Sequence, residues 1–216
     1  MVKSILWDMD GVLVNNGAFH YQSWQDTFSR YGFSFDEQAF RATFGMNNTG
    51  VLTTVLGRTP DQDFLAEVAD YKEARFRAVI RGRIHPIPGV VAWLERFTAW
   101  GCRHAVASSG PMANIQAQVK ELGLASFFSA LVSAANMPGK PDPAVFLEAA
   151  RQVDTLPVDC IVIEDAIAGV QAAKNAGMKC IAVLTTNPPS ALAKANVIVP
   201  DLTYLAEDTA QLLLNL

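Results

Sequence analysis

Asp8-Met9-Asp10-Gly11 follows directly on the mostly apolar run from Val2 to Trp7. A short apolar run of this kind reads as a strand buried on both faces of a parallel sheet. Carboxylates do not belong inside such a strand, so the two aspartates stand where it ends. In open α/β sheets that C-terminal edge is where ligands bind. Residues two apart in an extended chain point the same way, so Asp8 and Asp10 can face one site. Two close anions repel and raise a pKa unless a cation intervenes. The pair therefore implies a bound metal, an acid/base couple, or both. By itself the tetrapeptide also fits a plain turn, because Asp and Gly are common turn residues.

Three later positions join the pair. Ser108 stands at the end of a second core strand, His104 to Ala107. Lys140 lies in the proline-stiffened loop Met137-Pro138-Gly139-Lys140-Pro141-Asp142-Pro143. Glu164-Asp165 closes the apolar strand Cys160 to Ile163. Taken singly, Ser108 fits a turn or a helix cap, Lys140 a solvated loop lysine, and Glu164-Asp165 a pair of helix caps. Taken together they fall after successive strand ends, and all strand C-termini of a parallel sheet share one edge. Four carboxylates, a hydroxyl and an amine, with no His or Cys ligand nearby, suit a hard cation with oxygen ligands, Mg²⁺.

The elements that must position these groups are legible from about residue 89 onward. Helices over Val90–Trp100, Pro111–Leu122, Pro143–Val153, Ala166–Ala176 and Tyr204–Leu214 alternate with strands over His104–Ala107, Ala130–Val132, Cys160–Ile163, Lys179–Leu184 and Val197–Val199. Strands alternating with helices of 10 to 15 residues make βαβ units and a parallel sheet. Residues 15 to 84 break this rhythm. They read as helices over Ala18–Tyr31, Asp36–Phe44, Thr49–Leu56 and Asp61–Arg81, with no convincing strand. Trp24, Phe28 and Tyr31 share one face of the first. The segment His85-Pro86-Ile87-Pro88-Gly89 marks the return to the βα rhythm. The expectation is a Rossmann-like α/β core over 1–14 and 85–216, with an all-helical domain inserted over 15–84.

Composition narrows the class. A length of 216 residues suits one large domain, or one domain with a smaller insert. A net charge of −4 gives no reason to expect nucleic acid or an anionic membrane as partner. No apolar segment approaches the roughly 18 to 20 residues of a membrane span, and the N-terminus lacks the pattern of a signal peptide. The three cysteines, Cys102, Cys160 and Cys180, are odd in number and far apart, which suits buried thiols in a reducing cytoplasm. No interface patch stands out, so a monomer is expected.

The chain resembles the haloacid dehalogenase-like superfamily of phosphotransferases. Trp7-Asp8-Met9-Asp10-Gly11-Val12-Leu13 looks like its first motif, Val106-Ala107-Ser108-Ser109 its second and Gly139-Lys140-Pro141-Asp142-Pro143 its third. Val162-Ile163-Glu164-Asp165-Ala166-Ile167-Ala168-Gly169-Val170 is similar to the fourth. The likeness covers essentially the whole chain and is nearest the β-phosphoglucomutase-like branch, whose helical insert is called a type-1 cap. It implies that Asp8 is a nucleophile forming an aspartyl-phosphate, and that Asp10 is the general acid and base. It further implies that Mg²⁺ is held by the Asp8 carboxylate, the Asp10 carbonyl and Asp165 with Glu164 beside it, and that Ser108 and Lys140 hold phosphate oxygens. The same likeness makes His20, Trp24, Asn48, Ser109 and Lys72 candidates for substrate contact.

Two departures bear on the substrate, and a third on the hinge into the cap. Asn48 stands in Gly45-Met46-Asn47-Asn48-Thr49, where sugar phosphomutases carry an Arg for the second phosphate of a bisphosphate. A neutral amide cannot make that bidentate charged bond. Gly110-Pro111-Met112 replaces a Lys-Asn pair, and Asn15-Asn16 stands where Asp-Ser or Asp-Thr is usual. Lys72 or Arg75 could restore some positive charge. The expected activity is a Mg²⁺-dependent phosphatase acting on a small phosphomonoester such as a sugar phosphate. A sugar phosphomutase is the alternative, and a phospho-aspartate signalling or binding module without turnover is a third.

Overall fold

The computed structural model describes residues 3–215. Met1, Val2 and Leu216 lie outside them, and with them the start of the strand expected from Val2 and the extreme ends of the expected core. The strands are β1 (Ser4–Trp7), β2 (Arg103–Ser108), β3 (Ala130–Ser133), β4 (Cys160–Glu164), β5 (Lys179–Val183) and β6 (Val197–Val199). All pair in parallel in the order β3-β2-β1-β4-β5-β6. The chain winds outward from β1 through β2 to β3, then crosses back to β4 on the other side of β1. The strand order therefore reverses beside β1, where doubly wound sheets open a crevice at their C-terminal edge.

Alternation along β1 shows how the sheet is filled. Ile5 and Trp7 face one apolar layer with Leu94, Phe97 and Ile115, while Leu6 faces the other with Val145, Phe146 and Val170. Helices cover both faces: α5 (Val90–Ala99), α6 (Met112–Glu121), α7 (Ala144–Gln152), α8 (Ile167–Asn175) and α9 (Glu207–Leu214). The last starts three residues later than its apolar periodicity suggests. Leu205 and Ala206 are extended there, and Leu205 is pulled into the core.

Between β1 and α5 run α1 (Gly17–Arg30), α2 (Glu37–Thr43), α3 (Asn48–Leu56) and α4 (Gln62–Val79). Asp36, Asn47 and Asp61 each accept a backbone N–H three residues on, at Ala39, Gly50 and Phe64. These are N-caps, so the aspartates expected to open two helices stand just outside them. The four helices enclose an apolar cluster of their own, with Trp24, Phe28, Phe35, Val51, Leu52 and Val68 buried. Each such side chain contributes about 1.5–3 kcal/mol. The chain leaves and re-enters the α/β layer at adjacent points, where Val14 bridges Pro86. Among the described residues no helix is long and apolar enough to cross a membrane. Cys102, Cys160 and Cys180 are free and buried.

Candidate active site

Asp8 is the first residue past β1, and its N–H still bonds the Ile163 carbonyl of β4 at 3.0 Å. The chain then turns sharply, with the N–H groups of Leu13 and Val14 bonding the Met9 carbonyl. Gly11, at φ +86°, makes that turn possible. Glu164 is the last residue of β4 and Asp165 the next, so the two neighbouring strand ends bring three carboxylates together. Oxygen atoms of Asp8, Glu164 and Asp165 lie within 4.8 Å of one another, and all three residues are buried.

Lys140 reaches into this cluster from its loop. Its Nζ lies 2.5 Å from Asp8 Oδ1 and 2.7 Å from Glu164 Oε1. Glu164 Oε2 accepts the N–H groups of Asp165 and Ala166 at 2.8 and 2.7 Å. Asp165 Oδ2 accepts the Thr186 hydroxyl at 2.6 Å and lies 3.2 Å from that of Thr185. Asn187 Nδ2 and the Thr186 hydroxyl both bond the Asp165 carbonyl.

The electrostatics follow from burial. Loss of water raises Asp8 to about 7; Lys140 opposes the rise, and Glu164 and Asp10 add to it. Burial, Glu164 and Asp8 push Asp165 well above the ordinary carboxylate range. Burial works against charge on Lys140, yet Asp8 and Glu164 hold it above its ordinary value. One ammonium group thus stands among three carboxylates. The excess negative charge, with oxygen donors only, fits a hard divalent cation.

Asp10 points away from this cluster. Its Oδ1 accepts Asn16 Nδ2 at 2.5 Å, and its Oδ2 lies 3.4 Å from His20 Nε2 without hydrogen-bond alignment. Burial works to raise its pKa, but His20, Asn16 and Lys72 hold it below the ordinary value. The ring of His20 stacks on Phe76 at 3.9 Å. Its Nδ1 lies 3.1 Å from Lys72 Nζ. An ammonium group can only donate, so Nδ1 accepts and the ring proton sits on Nε2, toward Asp10. The side chain of Asp10 is thus separate from the carboxylate cluster, and only its carbonyl stays available as the donor expected for a metal.

Ser108 ends β2, buried, with Oγ accepting the Gly110 N–H at 3.1 Å. It caps no helix; α6 begins after Pro111. Asp8, Asp10, Ser108, Ser109, Lys140, Glu164 and Asp165 line the floor of a cavity of about 650 Å³. His20, Trp24, Asn48 and Lys72 line its helical side. Trp24 also packs in the apolar cluster of the insert, stacked on Phe28 at 5.2 Å, so its two expected settings coexist. Arg75 does not line the cavity; it pairs with Asp26 at 2.6 Å.

Several neighbours were not evident from the sequence. Thr185, Thr186 and Asn187 follow β5, and the same rule about strand ends, applied to that strand, points to them. The Asn16 side chain joins Asp10 to Gln118 of α6, its Nδ2 donating to Gln118 Oε1 at 2.5 Å. Glu73 joins Lys72 at 3.0 Å to Asn114 of α6, and Arg77 donates to Asn114 at 2.9 Å. No local pattern marks these contacts between the insert and the α/β layer.

The sequence profile of the haloacid dehalogenase-like hydrolases matches residues 5–183. The chain belongs to this family. It is 30% identical over 209 residues to validoxylamine A 7'-phosphate phosphatase of Streptomyces hygroscopicus subsp. limoneus, covering 94% of this chain and 95% of that one. It is 30% identical over 183 residues to a fructose-1-phosphate phosphatase of Escherichia coli (strain K12), covering 83% and 95%. The crystal structure of a β-phosphoglucomutase from Clostridium difficile has the same fold, with a TM-score of 0.88 over 100% of this chain and 98% of that one at 23% identity. The chain is therefore an enzyme of the haloacid dehalogenase-like hydrolases, with the Rossmann-like core and helical insert of its structural neighbours.

Proposed function

We propose that this enzyme is a Mg²⁺-dependent phosphatase acting on a small phosphomonoester, such as a sugar phosphate, through an aspartyl-phosphate. The observation that carries the proposal is the contact of Lys140 with both Asp8 and Glu164 at the switch point of the sheet. The names of the two phosphatase relatives support the substrate class. Residues 15–84 act as a cap over the core of 1–14 and 85–216, with Val14 and Pro86 at the hinge.

Asp8 is the nucleophile, its carboxylate aimed from the end of β1 and its ionised form favoured by Lys140 against the burial. Asp10 takes up a proton as the ester binds, gives it to the leaving oxygen, and then takes one from water as that water attacks the aspartyl-phosphate. His20 and Asn16 fix the orientation of Asp10. Lys140 and Ser108 bind phosphate oxygens, and Ser109 contacts the substrate. Asp8, the Asp10 carbonyl and Asp165, with Glu164 beside them, would hold Mg²⁺. Bound there, it would neutralise charge on the transferring phosphoryl group. Closure of the cap excludes bulk water from the cavity.

The test is inorganic phosphate release from a panel of sugar, polyol, nucleotide and three-carbon phosphates, with Mg²⁺ and with EDTA, and with Asp8→Asn as control. Release that needs both Mg²⁺ and Asp8 is expected. No release from any member overturns the phosphatase proposal. Turnover that appears only with glucose 1,6-bisphosphate as primer would identify a phosphomutase instead.

A further inference from the structure

The cavity has a charge pattern that catalysis alone does not require. Five carboxylates line it, those of Asp8, Asp10, Glu73, Glu164 and Asp165, against two lysines, Lys72 and Lys140. Lys140 is committed to Asp8 and Glu164. Lys72 is the one lysine of the cavity carried by the helical insert, and it is 3% exposed. Its neighbour Glu73, equally buried, binds it at 3.0 Å, and a second donor of the ammonium group goes to His20 at 3.1 Å. Glu73 is held in place from the other side by Asn114 of α6. Lys72 and Asn114 keep Glu73 ionised against its burial. The remaining lining of the insert is apolar or neutral: Trp24, Phe44, Met46, Val51, Asn48 and Gln62. The side chains of Asn48 and Gln62 make no hydrogen bond among the described residues.

A second phosphate on the substrate would bring about two negative charges into this space. Charge of that kind is bound by unpaired Arg or Lys, or it stays in water. No unpaired Arg or Lys lines the inner wall of the insert. An uncharged alcohol meets amides that can hydrogen-bond its hydroxyl groups, and aromatic faces for its carbon skeleton.

We propose that Glu73 makes this cavity selective for a substrate with a single phosphate and an uncharged leaving alcohol, by neutralising the one lysine of the insert that faces the cavity. Glu73 acts through Lys72 and touches no reacting atom; it determines specificity. The inference rests on the phosphatase proposal for the location of the reacting phosphate.

The experiment measures binding in the Asp8→Asn protein with Mg²⁺, by titration calorimetry. The probes are matched pairs: glucose 1-phosphate with glucose 1,6-bisphosphate, fructose 1-phosphate with fructose 1,6-bisphosphate, and an inositol monophosphate with its bisphosphate. Each monophosphate is expected to bind at least tenfold more tightly than its partner. Adding Glu73→Gln is expected to narrow that ratio at least fivefold, with folding checked by circular dichroism. Should Glu73→Gln not fold, Asn48→Arg on the lip of the cavity supplies an unpaired cation, and the same narrowing is expected. A bisphosphate that binds as tightly as its monophosphate overturns the inference. So does an unchanged ratio in the folded variant, or a failure of all three monophosphates to bind. Hydrolysis of p-nitrophenyl phosphate by the unmodified enzyme reports separately on the phosphatase proposal. Hydrolysis with a ratio near one defeats the selectivity alone, and a ratio above ten without hydrolysis defeats the phosphatase alone.

Discussion

Gly11 lies so close to Asp165 that a Cβ placed on it would stand 2.0 Å from Asp165 Oδ2. The two residues come from neighbouring strand ends and are fastened together, because Thr185 bonds both the Gly11 carbonyl at 2.5 Å and Asp165 Oδ2 at 3.2 Å. Gly11→Ala meets two penalties, the clash and the positive φ of +86°, the latter costing about 1–3 kcal/mol. Asp165 must move aside. Phosphate release with saturating Mg²⁺ is expected to fall at least tenfold, and the Mg²⁺ concentration for half-activity is expected to rise. Wild-type values of both would show that Asp165 need not hold its place.

Lys140→Met leaves Asp8 and Glu164 buried without their shared cation. Removing one partner from a buried ionic group costs about 3–5 kcal/mol. The urea midpoint of the metal-free protein at pH 8 is expected to drop accordingly, and phosphate release to fall by about a thousandfold or more. A midpoint equal to wild type would mean that water already screens the pair.

Mg²⁺ is expected to stabilise the protein, because a ligand that binds only the folded state adds about 2.7 kcal/mol at a hundred times its Kd. For a chain of this size that is a rise in Tm of about 5–10 °C. Asp165→Asn is expected to abolish the rise. Thr186→Val, which removes the 2.6 Å hydrogen bond to Asp165 Oδ2, is expected to weaken Mg²⁺ binding about tenfold. Scanning calorimetry across a Mg²⁺ titration reads all three. An equal rise in the Asp165→Asn protein would place the metal elsewhere.

His104 sets an acid limit on stability far from the cavity. Burial depresses its pKa from 6.5 to about 4. Nδ1 accepts Trp7 Nε1 at 3.0 Å, so Nε2 carries the proton and donates to Thr98 Oγ1 at 3.1 Å, and the Thr98 hydroxyl donates to the Leu94 carbonyl. A second ring proton would face the Trp7 donor. The unfolded chain takes up a proton below pH 6.5 that the folded chain refuses until about pH 4, so stability is lost as pH falls through that window. The shift corresponds to about 3 kcal/mol. Denaturation at pH 7 and pH 4 is expected to show this loss, and His104→Gln to lack it. An identical loss in His104→Gln would assign it to other groups.

The local chemistry of the strands was legible without coordinates. Apolar runs closing on Asp8, Ser108 and Glu164-Asp165 place those groups on one sheet edge, because parallel strands share an edge whatever their order. The helices of the insert were legible from periodicity, and the starts of two moved by one residue because Asp36 and Asp61 cap from outside. Tertiary structure alone decided the separation of Asp10 from the carboxylates beside it. That side chain turns to Asn16 and His20, a choice set by the hinge into α1. It also decided that Lys72 is paired with Glu73. Lys72 and Glu73 are adjacent in sequence, and adjacent helical residues normally diverge. Glu73 is also held by Asn114, which is 41 residues away and meets it where α4 packs on α6. Strand-end chemistry is written in short segments, because one strand and one turn determine it. The charge of the cavity wall depends on how two layers of helices dock, and no segment of the chain carries that by itself.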